Sequence, residues 1–217
     1  MKSMESKERS ANIIQKLILT VVGIFMFLPI YIAFVNTFKE SDEILSKPLY
    51  FPIPPTLDNI KAVLESPNTD LIQLYINSIM LVVFGTVLTV LVSSMASYYL
   101  ARVSTRFSKM LRIYFLVGLM VPYVIIYLPL CVLMRNVGIP FGVPSLIFIF
   151  VSGNIAFSTF MYTNFIKALP KELEESAAID GAGAFRRFWS ILFPLLKPIT
   201  ATVVIFVGLG IWNDFQT

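Results

Sequence analysis

The sequence contains no histidine and only one cysteine, Cys131, among 217 residues. Without histidine there is no imidazole metal ligand, no imidazole general base and no Ser-His-Asp triad. A lone cysteine excludes an intrachain disulfide. Cys131 lies inside an apolar run and reads as a small buried hydrophobe. The pattern G-x-x-x-x-G-K-[ST] is absent, so the chain carries no phosphate-binding loop for ATP of its own. Charge is scarce too: 14% of residues are charged, against about 25% in a soluble domain. No nucleophile–base pair and no cluster of metal ligands stands out, and the net charge of +4 comes without a nucleic-acid signature. Low-complexity segments and clear internal repeats are missing as well.

What is present is hydrocarbon. The chain is 57% hydrophobic with a mean hydropathy of +0.79. It cannot cover a globule with polar surface, so lipid is its expected solvent. Its length is better counted in spans of about 20 residues, each crossing roughly 30 Å of hydrocarbon. The expectation is an all-α, polytopic helical bundle with five transmembrane helices. A polar tail (1–12) precedes a single transmembrane domain (13–217).

Span 1 is expected from Ile13 to Phe38, nearly free of charge; a cleaved signal peptide is the alternative reading. A hydrophilic loop of about 39–71 follows, with a Pro-rich run from Pro48 to Pro55. It holds an amphipathic helix over Thr56–Glu65, with Ile60, Val63 and Leu64 on one face and Pro67 ending it. Span 2 covers about Leu71 to Leu100. Span 3 covers about Ile113 to Met134, with Pro122 and Pro129 expected to bend it. Span 4 covers about Ser145 to Phe165, and span 5 begins near Leu192.

Basic residues set the orientation. With the N-terminus inside, the inner segments hold Lys2, Lys7, Arg9, Lys16, Arg102, Arg106, Lys109, Arg112, Lys167, Lys171, Arg186, Arg187 and Lys197, thirteen of the seventeen. The positive-inside rule then puts the N-terminus and a loop of about 168–191 in the cytoplasm, and the 39–71 loop outside.

That inner loop is polar between two apolar runs. Pro170 suits the first position of a helix, and Glu172, Glu174 and Glu175 complement its dipole. Ala177 and Ala178 permit close approach, and Gly181 fits the left-handed residue after a helix end. A second amphipathic run has Phe185, Phe188, Trp189 and Leu192 at helical spacing, with Arg186 and Arg187 off the stripe; Pro194 then opens the next span. Such a loop either docks into a groove on an inner partner or lies on the bilayer surface.

The loop reads Glu175-Ser176-Ala177, three residues, Gly181, nine residues, then Ile191-Leu192-Phe193-Pro194. This resembles the EAA loop of binding-protein-dependent ABC importer permeases: E-A-A, three residues, G, nine residues, I-x-L-P. The spacing matches throughout, with Ser176 in place of Ala and Phe193 in place of Leu. The resemblance implies that Glu174, Glu175, Ser176, Ala177, Asp180, Gly181, Ala182 and Pro194 form a loop that couples to an ATPase. Glu175 would make polar contacts, Ala177 would allow close packing and Gly181 would make the turn.

Weaker segments fall in the order of the sugar-type permeases of that superfamily. They are Pro48–Pro52 with Thr56-Leu57-Asp58-Asn59, Asn77-Ser78, Ala96–Arg102, and Trp212-Asn213-Asp214. The implied function is a non-catalytic permease subunit of an ATP-driven importer in a prokaryotic plasma (inner) membrane, transporting a carbohydrate; related permeases carry polyols and glycerol phosphates. The implied partners are a second permease, two ATPase subunits that use ATP and Mg, an external solute-binding protein and membrane lipid. The chain itself would bind no cofactor, no metal and no nucleic acid. The family has a sixth span after span 5, so a fragment or a truncated product is expected.

Asn154 and Ser158, four apart on span 4, are candidates to line a pathway; helix–helix hydrogen bonding is the alternative. Ser93, Ser97 and Ala101 form a small-residue stripe suited to close packing. Asn213 and Asp214 are candidates for an outer contact or an interfacial anchor. A secondary transporter would carry ionisable residues mid-membrane, and spans 2, 3 and 4 have none at their centres. A membrane enzyme or scaffold is the remaining alternative.

Overall fold

In the computed structural model, residues 2–66 and 70–214 are described, with side chains from Asn12 onward except those of Tyr123 and Val124. The described residues contain helices and no strand. They divide into two compact units, Met1–Leu71 and Ile72–Thr217.

In the first unit, α1 spans Lys2–Thr37 and is apolar over Asn12–Thr37, long enough to cross a membrane. The polar tail expected over 1–12 is helical from Lys2, in keeping with its run of Met, Glu, Lys and Arg. Two short helices follow, α2 (Ser41–Ser46) and α3 (Asp58–Leu64). The latter is the expected amphipathic helix, ending at Leu64 with Glu65 as its C-cap; Pro67 lies outside the described residues. Lys39 ties this segment together. It is 1% exposed, and its Nζ donates to Asn36 Oδ1 at 2.8 Å, the Lys47 carbonyl at 2.7 Å and the Pro48 carbonyl at 3.2 Å. Asn59 Nδ2 donates to the carbonyls of Lys39 and Thr37, and the Thr56 N–H to that of Phe38. The Thr56–Asn59 motif is thus a staple onto the end of α1.

The second unit is built on α4 (Leu71–Arg102), α7 (Val143–Ala168) and α11 (Lys197–Trp212). On α11, Ile199, Val203, Val207 and Ile211 are buried every fourth residue, a seam one side of the helix wide. They join Val90, Phe150, Tyr162 and Ile166 in one core. Gly85 lets α11 close on α4, since a Cβ there would stand 2.9 Å from Ile211 Cδ1. Between α4 and α7, Ser97 Oγ donates to the Thr159 carbonyl at 3.0 Å. Between α7 and α11, the Tyr162 hydroxyl donates to Thr200 Oγ1 at 3.0 Å. Ser93 and Ser97 are fully buried, consistent with the packing reading of their stripe.

Span 3 is not one bent helix. It is α5 (Arg106–Met120) and α6 (Tyr123–Asn136), turned 109° from each other. Pro122 lacks an N–H and holds Val121 extended (φ −89°, ψ 117°), which stops α5 outright. Pro129 leaves α6 helical.

Span 5 also begins later than Leu192. The run Ala184–Leu195 is helical, as α9 (Ala184–Arg187), a π-helical turn (Phe188–Leu192) and α10 (Phe193–Leu195); it meets α11 at 77°. Two prolines explain this. Pro194 cannot donate to the Ser190 carbonyl, and the π turn carries the chain past it with the Phe193 N–H bonded to the Phe188 carbonyl. Pro198 sits in the first turn of α11, where a missing N–H costs nothing, so Pro198 rather than Pro194 opens the helix.

Candidate functional site

The loop after α7 is set by its own backbone chemistry. Leu169 is extended (φ −79°, ψ 138°), as the residue before Pro170 should be. The next helix, α8, runs Glu172–Ile179 with Lys171 as its N-cap. Pro170 therefore lies ahead of the helix instead of at its first position, and its effect is to turn the chain out of α7. Glu172, Glu174 and Glu175 occupy the first turn, where the free N–H groups favour negative charge.

The end of α8 is a Schellman turn. Gly181 has φ +83°, its N–H donates to the Ala178 carbonyl at 3.1 Å, and the Ala182 N–H donates to the Ala177 carbonyl at 2.9 Å. Both bonds reach back past the Asp180 C-cap. A side chain at 181 would meet nothing within 4 Å, so conformation and not space selects glycine there.

Two carboxylates next to each other have opposite surroundings. Glu174 is buried, and its Oε1 accepts from Arg102 Nε at 2.8 Å and Nη2 at 2.7 Å. Arg102 Nη2 also donates to the Leu169 carbonyl at 3.3 Å. The last residue of α4 thus holds both the linker and the first turn of α8, and Tyr98, one turn back, also reaches Glu174. Glu175 is exposed, with Leu173, Ala178 and Ile179, the last 87% exposed. Ser176 Oγ bonds back to the Leu173 carbonyl, and Ala177 is half-buried.

Beyond the turn, Phe188 and Leu192 are buried, Trp189 is half-buried and Phe185 is 72% exposed. Three of the four residues in the stripe therefore serve the core. Trp189 packs edge-on to Phe188 with centroids 5.0 Å apart and against Phe193 at 4.9 Å, while Tyr98 approaches Phe188 at 5.6 Å. The loop is fastened at both ends and free in the middle. Pro194, the last motif residue, is exposed.

The remaining candidates are dispersed. Asn154 Nδ2 bonds to the Phe150 carbonyl of its own helix, and Ser158 is fully buried with no hydrogen-bond partner. Asn213 caps α11, with its N–H on the Leu209 carbonyl, and Asp214 follows. Among the described residues, no group of three or more His, Cys, Asp or Glu could hold a metal ion. The residue the sequence missed is Arg102. It stood out as one of several basic residues after span 2 and as the end of the Ala96–Arg102 segment, and nothing local announces a partner in the loop.

Residues 93–216 match the family described as binding-protein-dependent transport system inner membrane component. The multiple sugar-binding transport system permease protein MsmG of Streptococcus mutans is 34% identical over 215 residues, 97% of this chain and 76% of that one. The melibiose/raffinose/stachyose import permease protein MelC of Bacillus subtilis is 32% identical over 212 residues, 97% and 75% of the two chains. The fold matches a chain in the crystal structure of a bacterial ABC transporter involved in the import of the acidic polysaccharide alginate. The TM-score is 0.82 at 20% identity, covering 96% of this chain and 72% of that one. With its family match and its relatives in agreement, the chain belongs to the family of binding-protein-dependent transport system inner membrane components, the permeases of ABC transporters.

Proposed function

We propose that this chain is one permease subunit of an ATP-driven carbohydrate importer, and that α8 is the element through which ATP hydrolysis in a partner reaches the membrane helices. The carrying observation is the asymmetry of α8. Glu174 binds it to the end of α4, while Glu175, Ala178 and Ile179 stay open on its surface. A helix that only rested on its own bundle would have no use for an open, partly apolar face beside a clamped one.

The N-terminus and this loop are cytoplasmic in this reading, as the basic residues favour. Glu175 provides a polar contact to the ATPase, Ala177 lets it approach, and Gly181 turns the chain out of the contact. ATP and magnesium belong to two ATPase subunits, and this chain binds no cofactor. A second permease completes the pathway, and an external solute-binding protein delivers the substrate. Carbohydrate is favoured because relatives that match along nearly the whole chain are described as sugar or oligosaccharide permeases. Asn154, Ser158, Asn213 and Asp214 remain the candidates for contact with solute or its delivery protein.

The test is an affinity pull-down of the tagged chain in mild detergent, read by mass spectrometry, followed by uptake assays on the recovered complex. Recovery of an ATPase with a phosphate-binding loop and a second multi-span permease, with uptake of a sugar, is the expected outcome. Recovery of the chain alone from intact membranes would overturn the reading.

A further inference from the structure

Near the end of α4 that carries Arg102 lies a small cavity whose lining joins apolar residues to two basic ones. Its volume is about 80 Å³, between α4, α5 and α7. Leu100 closes it from α4, Arg112 and Phe115 line it from α5, and Thr163, Asn164 and Lys167 line it from α7. No acidic side chain is in the lining. Neither Arg112 nor Lys167 makes an ion pair among the described residues, and the one hydrogen bond of Arg112 is from Nε to the Ser108 carbonyl at 3.4 Å.

Two further atoms are unexplained. Thr159, which also lines the cavity, and Thr163 are 1% and 5% exposed, and neither hydroxyl has a hydrogen-bond partner. A threonine inside a helix commonly bonds its own backbone, as Thr89 does with the Gly85 carbonyl. Here two buried hydroxyls without a partner and two cations without a counter-charge line one space.

We propose that this cavity is a binding site for one phosphate group, with Arg112 and Lys167 as its charge partners and Thr163 and Asn164 as hydrogen-bond donors. Size supports the choice. The volume is roughly five times what one water needs, which suits a tetrahedral group of five heavy atoms. Chemistry supports it as well, since the half-buried Arg112 and the exposed Lys167 line the same space with no carboxylate among the lining residues, and both side chains are suited to an anion. The phosphate can be carried by an anionic phospholipid or be free in solution. The surroundings favour the lipid: the exposed Leu116 and Phe160 at the rim offer an apolar path for acyl chains. Basic pockets between membrane helices receive lipid headgroups by this chemistry. A headgroup here would lie against Lys167, five residues before Glu172 begins α8, and would stiffen the root of that loop.

The experiment uses the full chain purified in mild detergent and stripped of lipid. Native mass spectrometry counts phosphatidylglycerol and, separately, diacylglycerol, which has no phosphate, bound per chain from mixed micelles. A further arm measures radiolabelled inorganic phosphate. Wild type should prefer phosphatidylglycerol, and R112Q/K167Q should lose about thirtyfold in that preference, the contribution of two cations close to a lipid phosphate. The charge-preserving R112K/K167R should keep most of it, which separates loss of charge from loss of folding. R106Q/K109Q should keep it too, because neither residue lines the cavity. Saturable binding of inorganic phosphate that R112Q/K167Q abolishes would support the same site with a free ligand. An R112Q/K167Q chain that binds lipid and phosphate as wild type does, or an equal loss in R106Q/K109Q, would overturn the proposal.

Discussion

Arg102 and Glu174 stand 72 residues apart in the chain and meet at 2.7 Å in the structure. One ends the long helix α4, and the other lies in the first turn of the short helix α8. Both side chains are nearly buried, at 13% and 9% exposed, so the pair is not a solvated surface contact of negligible worth. Whatever moves α8 therefore pulls on α4.

Removing one partner leaves a largely buried charge alone, at a cost of about 3 kcal/mol for a pair this enclosed. R102Q and E174Q should each leave the chain inserted and still bound to the proposed ATPase partner. Uptake should fall steeply while basal ATP hydrolysis persists. The exchanged double variant R102E/E174R should recover part of the uptake. A double-mutant cycle on uptake rate checks this, and strictly additive losses would sink the idea that the pair acts as one clamp.

Gly181 offers a second test, because the structure separates conformation from space. At φ +83° a β-branched side chain is strained by about 1–2 kcal/mol, although nothing stands within reach of its Cβ. G181V should uncouple hydrolysis from transport, whereas G181N should retain most function because asparagine tolerates this region. Equal activity of the two variants would show that the turn does not matter.

Glu175 tests the docking face itself. Its side chain is exposed, so E175K should still fold, losing at most about 1 kcal/mol from the reversed charge in the first turn of α8. Co-purification of the ATPase should drop by about tenfold, the effect of turning one favourable charge contact into a repulsive one. Undiminished recovery would remove Glu175 from the contact.

The helices of this protein were legible because their signal is long and collective. Asn12–Thr37, Leu71–Arg102 and Val143–Ala168 are continuous apolar segments, and no tertiary context was needed to find them. Gly181 was legible for a different reason: the requirement for a left-handed residue after a helix is local, and glycine meets it. What could not be read depends on neighbours distant in sequence. Pro122, Pro129, Pro194 and Pro198 look alike in a string, yet Pro122 ends a helix, Pro129 sits within one, Pro194 accompanies a π turn and Pro198 starts α11. The outcome turns on where the freed carbonyls find partners. The adjacent Glu174 and Glu175 look equivalent too, and only the position of Arg102 makes one an anchor and leaves the other on the surface.

Ser97 tests the packing reading of the Ser93–Ser97–Ala101 stripe. Its bond to the Thr159 carbonyl joins α4 and α7 where both are buried. S97A should cost about 0.6 kcal/mol, the average for such a bond within a membrane bundle. S97L should cost more, about 1–3 kcal/mol, since it adds volume to a closed interface. Thermal unfolding in detergent checks the order; S97L as stable as S97A would mean that the helices do not meet there.

Lys39 carries the last prediction. An ammonium group has three donors, and here each has one acceptor: Asn36 Oδ1 and the carbonyls of Lys47 and Pro48. None of the three is a carboxylate, so the side chain is held by geometry and not by a counter-charge. K39M keeps the length and apolar stem but removes every donor, so all three bonds are lost, at about 1 kcal/mol each. K39R adds bulk to a site with 1% exposure and places its donors in a flat fork that cannot reach the same three atoms. Both variants should loosen the 40–57 segment while leaving α1 helical. N36A removes one acceptor of the three and should act in the same direction more weakly. Limited proteolysis of the purified chain reads the effect directly: cleavage within 40–57 should speed up in the order wild type, N36A, K39M. If K39M is cut no faster than wild type, Lys39 is not what holds this segment to the end of α1.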